Sequence, residues 1–208
     1  MSETIELPDR ILLSPRFDPA RLRADLERLS GESWRAHFVR QNYAGEWSAL
    51  PLRAKRGATH PSSMIYADPM CVDFVDTPLL EACPYFQEVL AAFPCPLRSA
   101  RLMRLTPGSE IKEHSDHDLG AEFGKARLHI PILTCANVDF YLNGTTVAMS
   151  PGESWYLRLS DPHRVVNRGA SDRLHLVVDT IVNEWLRGEL LAGAGLPLER
   201  LVVAPLST

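Results

Sequence analysis

Residues 113–118 read EHSDHD and place three carboxylates and two imidazoles in six positions. Such a segment is either a solvated polar loop or one part of a metal site whose other ligand comes from elsewhere in the chain. In an extended strand, positions i and i+2 point to the same face. His114 and Asp116 could therefore direct one imidazole and one carboxylate to a common point. In a loop, His117 and Asp118 could still compete for the same ion.

A third ligand is needed, because an H-x-D pair alone often arises by chance. The best candidate is His163 in LSDPHRVVN, at the start of a predicted strand. Several strands fit between His114 and His163, so one sheet could bring the two together. Two histidines and one carboxylate on one face of a metal leave three positions open, which is the arrangement of non-haem Fe(II) oxygenases.

Arg173, in SDRLHLVVD, is a candidate for binding an anion near this site. An arginine can bind a carboxylate through two parallel hydrogen bonds, and 2-oxoglutarate carries a carboxylate at the end remote from the iron that it chelates. The alternative for Arg173 is a surface ion pair with Asp172 or Asp179.

Arg127 and His129 lie two residues apart in KARLHIPIL and therefore share one face of a predicted strand. If that face is internal, both side chains need polar partners, and together they suit an anionic ligand. If instead Leu128, Ile130 and Ile132 form the core face, Arg127 and His129 are simply solvated.

These candidates fall in a region of short predicted strands. From about residue 98, segments such as RSARLMRL, KARLHIPIL and ANVDFYL alternate with turn signals at intervals of roughly eight to twelve residues. This spacing favours an antiparallel sandwich or barrel, so we predict a mainly β fold with flanking helices and a double-stranded β-helix (jelly-roll, cupin-like) core.

Helix signals lie on either side of these strands. FDPARLRADLERLSG has Asp18 as N-cap and Pro19 at the first helical position. TPLLEACPYFQEVLAAFPCP predicts a second helix with a break or a new start at Pro84, and NEWLRGELLAG predicts a last one. Residues 33–57 are compatible with short strands, and RGATHPSSMIYADP reads as a flexible loop.

The whole chain, residues 1–208, is predicted to be a single oxygenase domain. Its parts are a helical and mixed N-terminal part (1–97), the jelly-roll core (98–181), and a C-terminal helix and tail (182–208). The tail LPLERLVVAPLST is apolar enough to pack on this chain or on a neighbour.

Composition excludes several classes of protein. The formal net charge is −4 and the isoelectric point is about 6.0, which argues against a nucleic-acid binder. The N-terminus lacks the basic start and apolar stretch of a signal peptide, and no run approaches the length of a membrane span. We expect a cytoplasmic protein whose partner is a small molecule, with no nucleic acid and no membrane; its oligomeric state is left open.

The motifs together resemble the aspartyl/asparaginyl β-hydroxylase family of 2-oxoglutarate-dependent oxygenases, which includes bacterial proline hydroxylases. PGSEIKEHSD, KARLHIPI and PHRVVNRGASDRLHLVVD carry the resemblance in order and spacing over roughly residues 98–183. It implies Fe(II), 2-oxoglutarate and O₂, and hydroxylation of a C–H bond in a free amino acid or a residue of a small peptide.

The same resemblance assigns roles to individual residues. It puts iron on His114, Asp116 and His163, the distal carboxylate of 2-oxoglutarate on Arg173, and further co-substrate contacts on the other candidate strand, Arg127 and His129. Animal members of the family have glycine where this chain has Asp116, so the full set of three ligands is expected here, as in the bacterial enzymes.

Substrate contacts are not fixed by these motifs. An amino-acid carboxylate needs an arginine, for which the candidates are Arg53, Arg56, Arg101 and Arg104, and an apolar wall could come from Trp47, Tyr66 and Trp155. The rival function is a non-catalytic cupin-like protein that binds a metal or a ligand.

Overall fold

The computed structural model describes residues 7–68 and 70–197. Five α-helices occur in this part of the chain: α1 (Pro19–Arg28), α2 (Pro61–Ile65), α3 (Pro78–Glu81), α4 (Pro84–Ala91) and α5 (Glu184–Gly193). The strands are β1 (Arg10–Arg16), β2 (Arg35–Ala36), β3 (Tyr43–Ala44), β4 (Trp47–Lys55), β5 (Phe74–Asp76), β6 (Leu97–Leu105), β7 (Glu110–His114), β8 (Lys125–Leu133), β9 (Val138–Leu142), β10 (Thr145–Thr146), β11 (Glu153–Leu157), β12 (His163–Asn167) and β13 (Arg173–Ile181).

The strands form two antiparallel sheets. The larger sheet has the order β1-β11-β8-β13-β6-β4-β2, with β5 pairing on β4, and the smaller has the order β10-β9-β12-β7-β3. Sequence neighbours are often separated in space, as expected when strands cross between two stacked sheets. The predicted mainly β, jelly-roll core with flanking helices is confirmed.

The larger sheet buries both of its faces. One face packs on the helices, with Leu128 and Ile130 of β8 in the same apolar cluster as Leu22 of α1 and Phe86 of α4. The other face meets the smaller sheet, where Leu105 and Val177 pack with residues such as Val165. Because neighbouring residues of a strand point to opposite faces, each central strand contributes to the core with the helices and to the interior between the sheets.

The helices begin where the sequence signals place them. The Asp18 side chain accepts a hydrogen bond from the Ala20 backbone N–H (2.8 Å), and Pro19 opens α1. Pro84 starts α4 after a break from α3, and the Asn183 side chain caps α5. The loop prediction for RGATHPSSMIYADP is wrong in part, because Pro61 opens the short helix α2 and the His60 side chain accepts from Ser62 N–H.

Three strands are absent from the set that was predicted: β1, β5 and β7, of which β7 had only been considered as a possible extended segment around His114 and Asp116. β1 lies at the edge of the larger sheet and pairs with β11 through an irregular register. Its Pro15 and its flanking arginines are untypical of a strand interior, so the sequence pattern did not indicate a strand there. β7 carries His114 and overlaps the charged hexapeptide. The domain boundaries at residues 97 and 181 stay a prediction; strands from before residue 97 join both sheets. The predicted docking of the tail falls largely outside the described residues.

Asn167, at the end of β12, ties together the segments that surround the interior. Its buried amide donates to the carbonyls of Leu105 and Ser171 (2.9 Å each), and its side-chain oxygen accepts from Gly169 N–H. The start of β13 is thereby fixed relative to the end of β6, which fixes where Arg173 enters the sheet.

Candidate active site

His114 and His163 face each other across two neighbouring strands. β7 and β12 are antiparallel, and the register pairs His114 directly with His163. The two ring centroids are 4.3 Å apart. The sheet therefore brings together two histidines that are far apart in sequence, as the prediction required.

Asp116 reaches the same point from a loop. β7 ends at His114, so the strand alternation that was used to place Asp116 does not apply at this position. Instead, its backbone N–H donates to the Leu159 carbonyl (2.8 Å), and its carbonyl accepts from Leu119 N–H (2.9 Å). One ligand atom each from His114, Asp116 and His163 lie within 4.8 Å of one another, which suits a single metal ion.

Both histidines keep Nε2 for this point, because Nδ1 of each ring is bound to a backbone carbonyl. Nδ1 of His114 lies 2.8 Å from the Lys112 carbonyl, and Nδ1 of His163 lies 3.0 Å from the Asp161 carbonyl. A carbonyl can only accept, so each Nδ1 carries the proton and each Nε2 keeps its lone pair for a metal. Burial lowers the pKa of His163 to about 4, which keeps it in the neutral form that metals require.

A chain of buried charges runs away from the metal ligands. Arg127 Nη1 donates to Asp116 Oδ2 (2.7 Å), and Arg127 Nε donates to Asp179 Oδ1 (2.6 Å). Arg101 Nη2 donates to Asp179 Oδ2 (2.6 Å), and its Nη1 donates to the Ile65 carbonyl (2.8 Å). Burial alone would raise the pKa of Asp179, but Arg127 and Arg101 hold it below its ordinary value.

Arg173 is buried on the inner face of β13 without a carboxylate partner among the described residues. Its Nη2 lies 2.9 Å from His175 Nδ1, and its guanidinium lies 5.9 Å from the centre of the Phe140 ring. Burial lowers its pKa to about 9, so the side chain is still charged at neutral pH. A buried cation without a counter-charge is a ready anion site.

His129 lies on the neighbouring strand β8, opposite Val177 of β13. Both of its ring nitrogens are buried and have no hydrogen-bond partner in the described part of the chain. Burial, with the nearby charge of Arg173, lowers its pKa well below the ordinary value, so it is neutral. Unpaired buried polar atoms are costly unless a ligand or water satisfies them.

All of these groups line one cavity of about 430 Å³. Its wall also includes a ring stack in which His37 lies 3.6 Å from Trp47, centre to centre, at an interplanar angle of 15°. The buried Trp47 Nε1 has no partner among the described residues. Phe140 and Tyr66 add apolar surface, so the cavity combines aromatic walls with charged groups.

Some of the candidate substrate contacts line the cavity and others do not. Arg101, Trp47 and Tyr66 line the cavity. The remaining candidates do not, since each has a partner elsewhere: Arg53 pairs with Asp76, Arg56 with Asp73, Arg104 with Glu46, and the Trp155 indole donates to Glu153. Only one arginine of the four can therefore meet a ligand in this cavity.

Asp179 and His175 were not recognised as site residues from the sequence, although Asp179 was considered as a surface partner of Arg173. The signal was present in RLHLVVD, where Arg173, His175, Val177 and Asp179 alternate with apolar residues. These four share one face of β13, and Leu174, Leu176 and Val178 pack on the other side with the helices. No comparable sequence pattern indicated that His37 lines the cavity.

Comparison with known proteins shows which family the chain resembles. Residues 17–182 match the family described as aspartyl/asparaginyl beta-hydroxylase. The L-proline cis-4-hydroxylase of Rhizobium meliloti (strain 1021) is 30% identical over 171 residues, which is 79% of this chain. This chain spans only 58% of the length of that relative.

The fold is also found among solved structures. An oxidoreductase of the 2OG-Fe(II) oxygenase family from Burkholderia pseudomallei superposes with a TM-score of 0.51 and 15% identity, covering 84% of this chain and 86% of that one. At this level of identity the likeness concerns the fold. No helix among the described residues is long and apolar enough to cross a bilayer.

The buried neutral histidines predict acid sensitivity of the metal-free protein. Burial lowers the pKa of His37 from 6.5 to about 3. Unfolding lets it bind a proton below pH 6.5, so its contribution to stability is intact above that pH and is lost as the pH falls. At pH 5 the loss from this one group is about 2 kcal/mol. Thermal melts in the presence of a chelator should show a falling Tm from pH 7 to pH 5.

The matched variant is His37→Phe, which keeps the stack on Trp47 and cannot be protonated. Its Tm should fall less steeply over the same pH range. Equal slopes for the variant and the parent would contradict the assignment of His37 as a buried neutral group.

Proposed function

Because the chain belongs to the aspartyl/asparaginyl β-hydroxylase family, we propose that it is a Fe(II)- and 2-oxoglutarate-dependent dioxygenase. Its reaction is the hydroxylation of a C–H bond in a free amino acid or in a residue of a small peptide. The observation that carries the proposal is the convergence of His114, Asp116 and His163 in the cavity that also contains Arg173, which has no carboxylate partner in the described part of the chain.

The donor set fits Fe(II). Two imidazoles and one carboxylate are the facial ligands of non-haem iron oxygenases, and they leave three positions for other ligands. The carbonyls of Lys112 and Asp161 fix both imidazoles in the orientation that directs Nε2 to the ion. His114, Asp116 and His163 would therefore hold the metal.

The rest of the inner face fits 2-oxoglutarate. Arg173 offers a buried positive charge for the distal carboxylate, and the single N–H of the neutral His129, whose two ring nitrogens have no partner among the described residues, can donate one hydrogen bond to the same anion. Arg127 is engaged with Asp116 and Asp179, so a direct contact between Arg127 and the co-substrate stays a prediction.

Arg101 is the proposed anchor for the carboxylate of the substrate. It lines the cavity, and its buried Nε has no partner in the described residues. The aromatic wall of His37 and Trp47 would then bound the apolar part of the substrate. The Rhizobium meliloti relative is named for L-proline, so proline is the first candidate here, followed by aspartate and asparagine.

These contacts indicate which roles belong to the protein and which to the iron and the co-substrate. When bound, the iron and 2-oxoglutarate supply the oxidising chemistry, with O₂ as the source of the oxygen atom. The protein binds the co-substrate through Arg173, orients the substrate through Arg101, and excludes water with aromatic walls. No side chain is required as a general acid or base. We also propose that residues 1–208 form one oxygenase domain and that the protein acts in the cytoplasm, without nucleic acid or membrane partners.

The ligand assignment predicts a clear difference between neighbouring histidines. His114→Ala, Asp116→Ala and His163→Ala should each lower Fe(II) affinity by more than the roughly 10- to 100-fold cost of losing an outer-shell partner, and should abolish turnover. His117→Ala, the matched control, changes a residue that lines the cavity but lies outside the ligand cluster, and it should keep both. Anaerobic metal titration measures the affinities. Loss of iron in His117→Ala with retention in Asp116→Ala would reverse the assignment.

Arg173→Ala should weaken 2-oxoglutarate far more than it weakens the metal. Removing one partner of a buried charge pair typically costs a few kcal/mol, so the affinity for 2-oxoglutarate should fall roughly a hundredfold or more. Calorimetric titration of the metal-loaded protein gives this value. Arg168→Ala, which removes an exposed arginine paired with Asp139, is the control. A folded Arg173→Ala protein with unchanged 2-oxoglutarate affinity would refute the role of Arg173.

The substrate class is tested with a panel of amino acids and short peptides. Wild-type protein with Fe(II), ascorbate and 2-oxoglutarate should release more succinate when the substrate is present, and the substrate should gain the mass of one oxygen atom. Coupling only to a lipid or another metabolite would retain the oxygenase proposal and reject the amino-acid one. A protein that neither binds 2-oxoglutarate nor forms succinate would instead be a non-catalytic cupin-like binding protein.

A further inference from the structure

Asp179 is the point at which the buried charges of the cavity meet. Its Oδ2 accepts from Ser99 Oγ (2.8 Å) and Arg101 Nη2 (2.6 Å), while its Oδ1 accepts from Arg127 Nε (2.6 Å). Only 4% of the residue is exposed. A carboxylate held by donors from three side chains and shielded from solvent has little freedom to move.

This carboxylate fixes the direction of Arg127. Nε and Nη2 of Arg127 both lie on Asp179, at 2.6 and 3.2 Å, so the planar guanidinium has one remaining end, Nη1. That end lies 2.7 Å from Asp116 Oδ2. The orientation of Arg127, and with it the hydrogen bond to one oxygen of a proposed metal ligand, therefore depends on Asp179.

We propose that Asp179 is a positioning residue that holds Arg127 on one oxygen of Asp116 and thereby leaves Asp116 a single oxygen for the metal. The inference rests on the proposed function. A carboxylate that binds through both oxygens occupies two positions around an ion. With Arg127 in place, Asp116 takes one position, and three remain open for 2-oxoglutarate and O₂.

The test compares metal and co-substrate binding in Asp179→Asn and the parent. Co(II) is titrated into metal-free protein, its visible spectrum is recorded as a measure of coordination geometry, and 2-oxoglutarate is then added. In Asp179→Asn we expect an altered Co(II) spectrum before 2-oxoglutarate is present. We also expect 2-oxoglutarate affinity to fall about 10- to 100-fold, with a smaller change in Co(II) affinity.

Ser99→Ala is the matched control, because Ser99 donates to the same carboxylate without touching Arg127. It should lower the Tm while leaving the Co(II) spectrum and the 2-oxoglutarate affinity unchanged. A purely structural role for Asp179 would make Asp179→Asn behave in the same way, and that result would overturn the proposal.

Arg127→Lys provides a second route if Asp179→Asn does not fold. Lysine keeps the positive charge but cannot place separate nitrogens on Asp179 and Asp116. The same change in the Co(II) spectrum is expected. An unaltered spectrum in Arg127→Lys would refute the proposal. Failure of the wild-type protein to bind Co(II) and 2-oxoglutarate would refute the proposed function instead.

Discussion

The ion pair between Arg127 and Asp179 is the interaction on which the interior of this protein depends. It joins β8 to β13 at a position where the two strands are paired in register, and both side chains point into the space between the sheets. Charges taken out of water are tolerated only when partners and hydrogen bonds compensate them. Ser99, Arg101 and Asp116 complete that compensation, so the polar part of the cavity behaves as one connected unit.

This arrangement is possible because the larger sheet has no solvent-facing side at its centre. β13 is an example: Leu174, Leu176 and Val178 pack on the helices, and the alternate residues line the interior. Because the outer face packs on the helices and forms the main hydrophobic core, the inner face can carry polar and charged side chains. A sheet with only one buried face would have had to fill that face with apolar residues, leaving little room for buried arginines and histidines.

The sequence predicted the parts of the site that follow from strand periodicity and failed where geometry depends on the whole sheet. Turn signals and alternation located β8 and β13 and the start of β12 at His163, but they left open whether Arg127, His129 and Arg173 face inward, which only the family resemblance implied. Asp116 was placed by the correct motif but for the wrong reason, because it lies in a loop after β7. Asp179 was missed although its alternation with Arg173 and His175 is visible in RLHLVVD, because its partners Arg101 and Arg127 come from β6 and β8 and pairing across strands cannot be read from a single sequence.

Charge balance explains why the proposed ligands belong together. Arg101, Arg127 and Arg173 bring three positive charges to the interior, and Asp116 and Asp179 bring two negative ones. Fe(II) with the dianion of 2-oxoglutarate adds no net charge, so the excess of one positive charge persists after both have bound. A substrate carboxylate at Arg101 would compensate this charge locally, and a substrate with one net negative charge, such as aspartate, would remove it altogether. Because uncompensated charge is most costly in a dry interior, the cavity should exclude water best when metal, co-substrate and carboxylate substrate are all present.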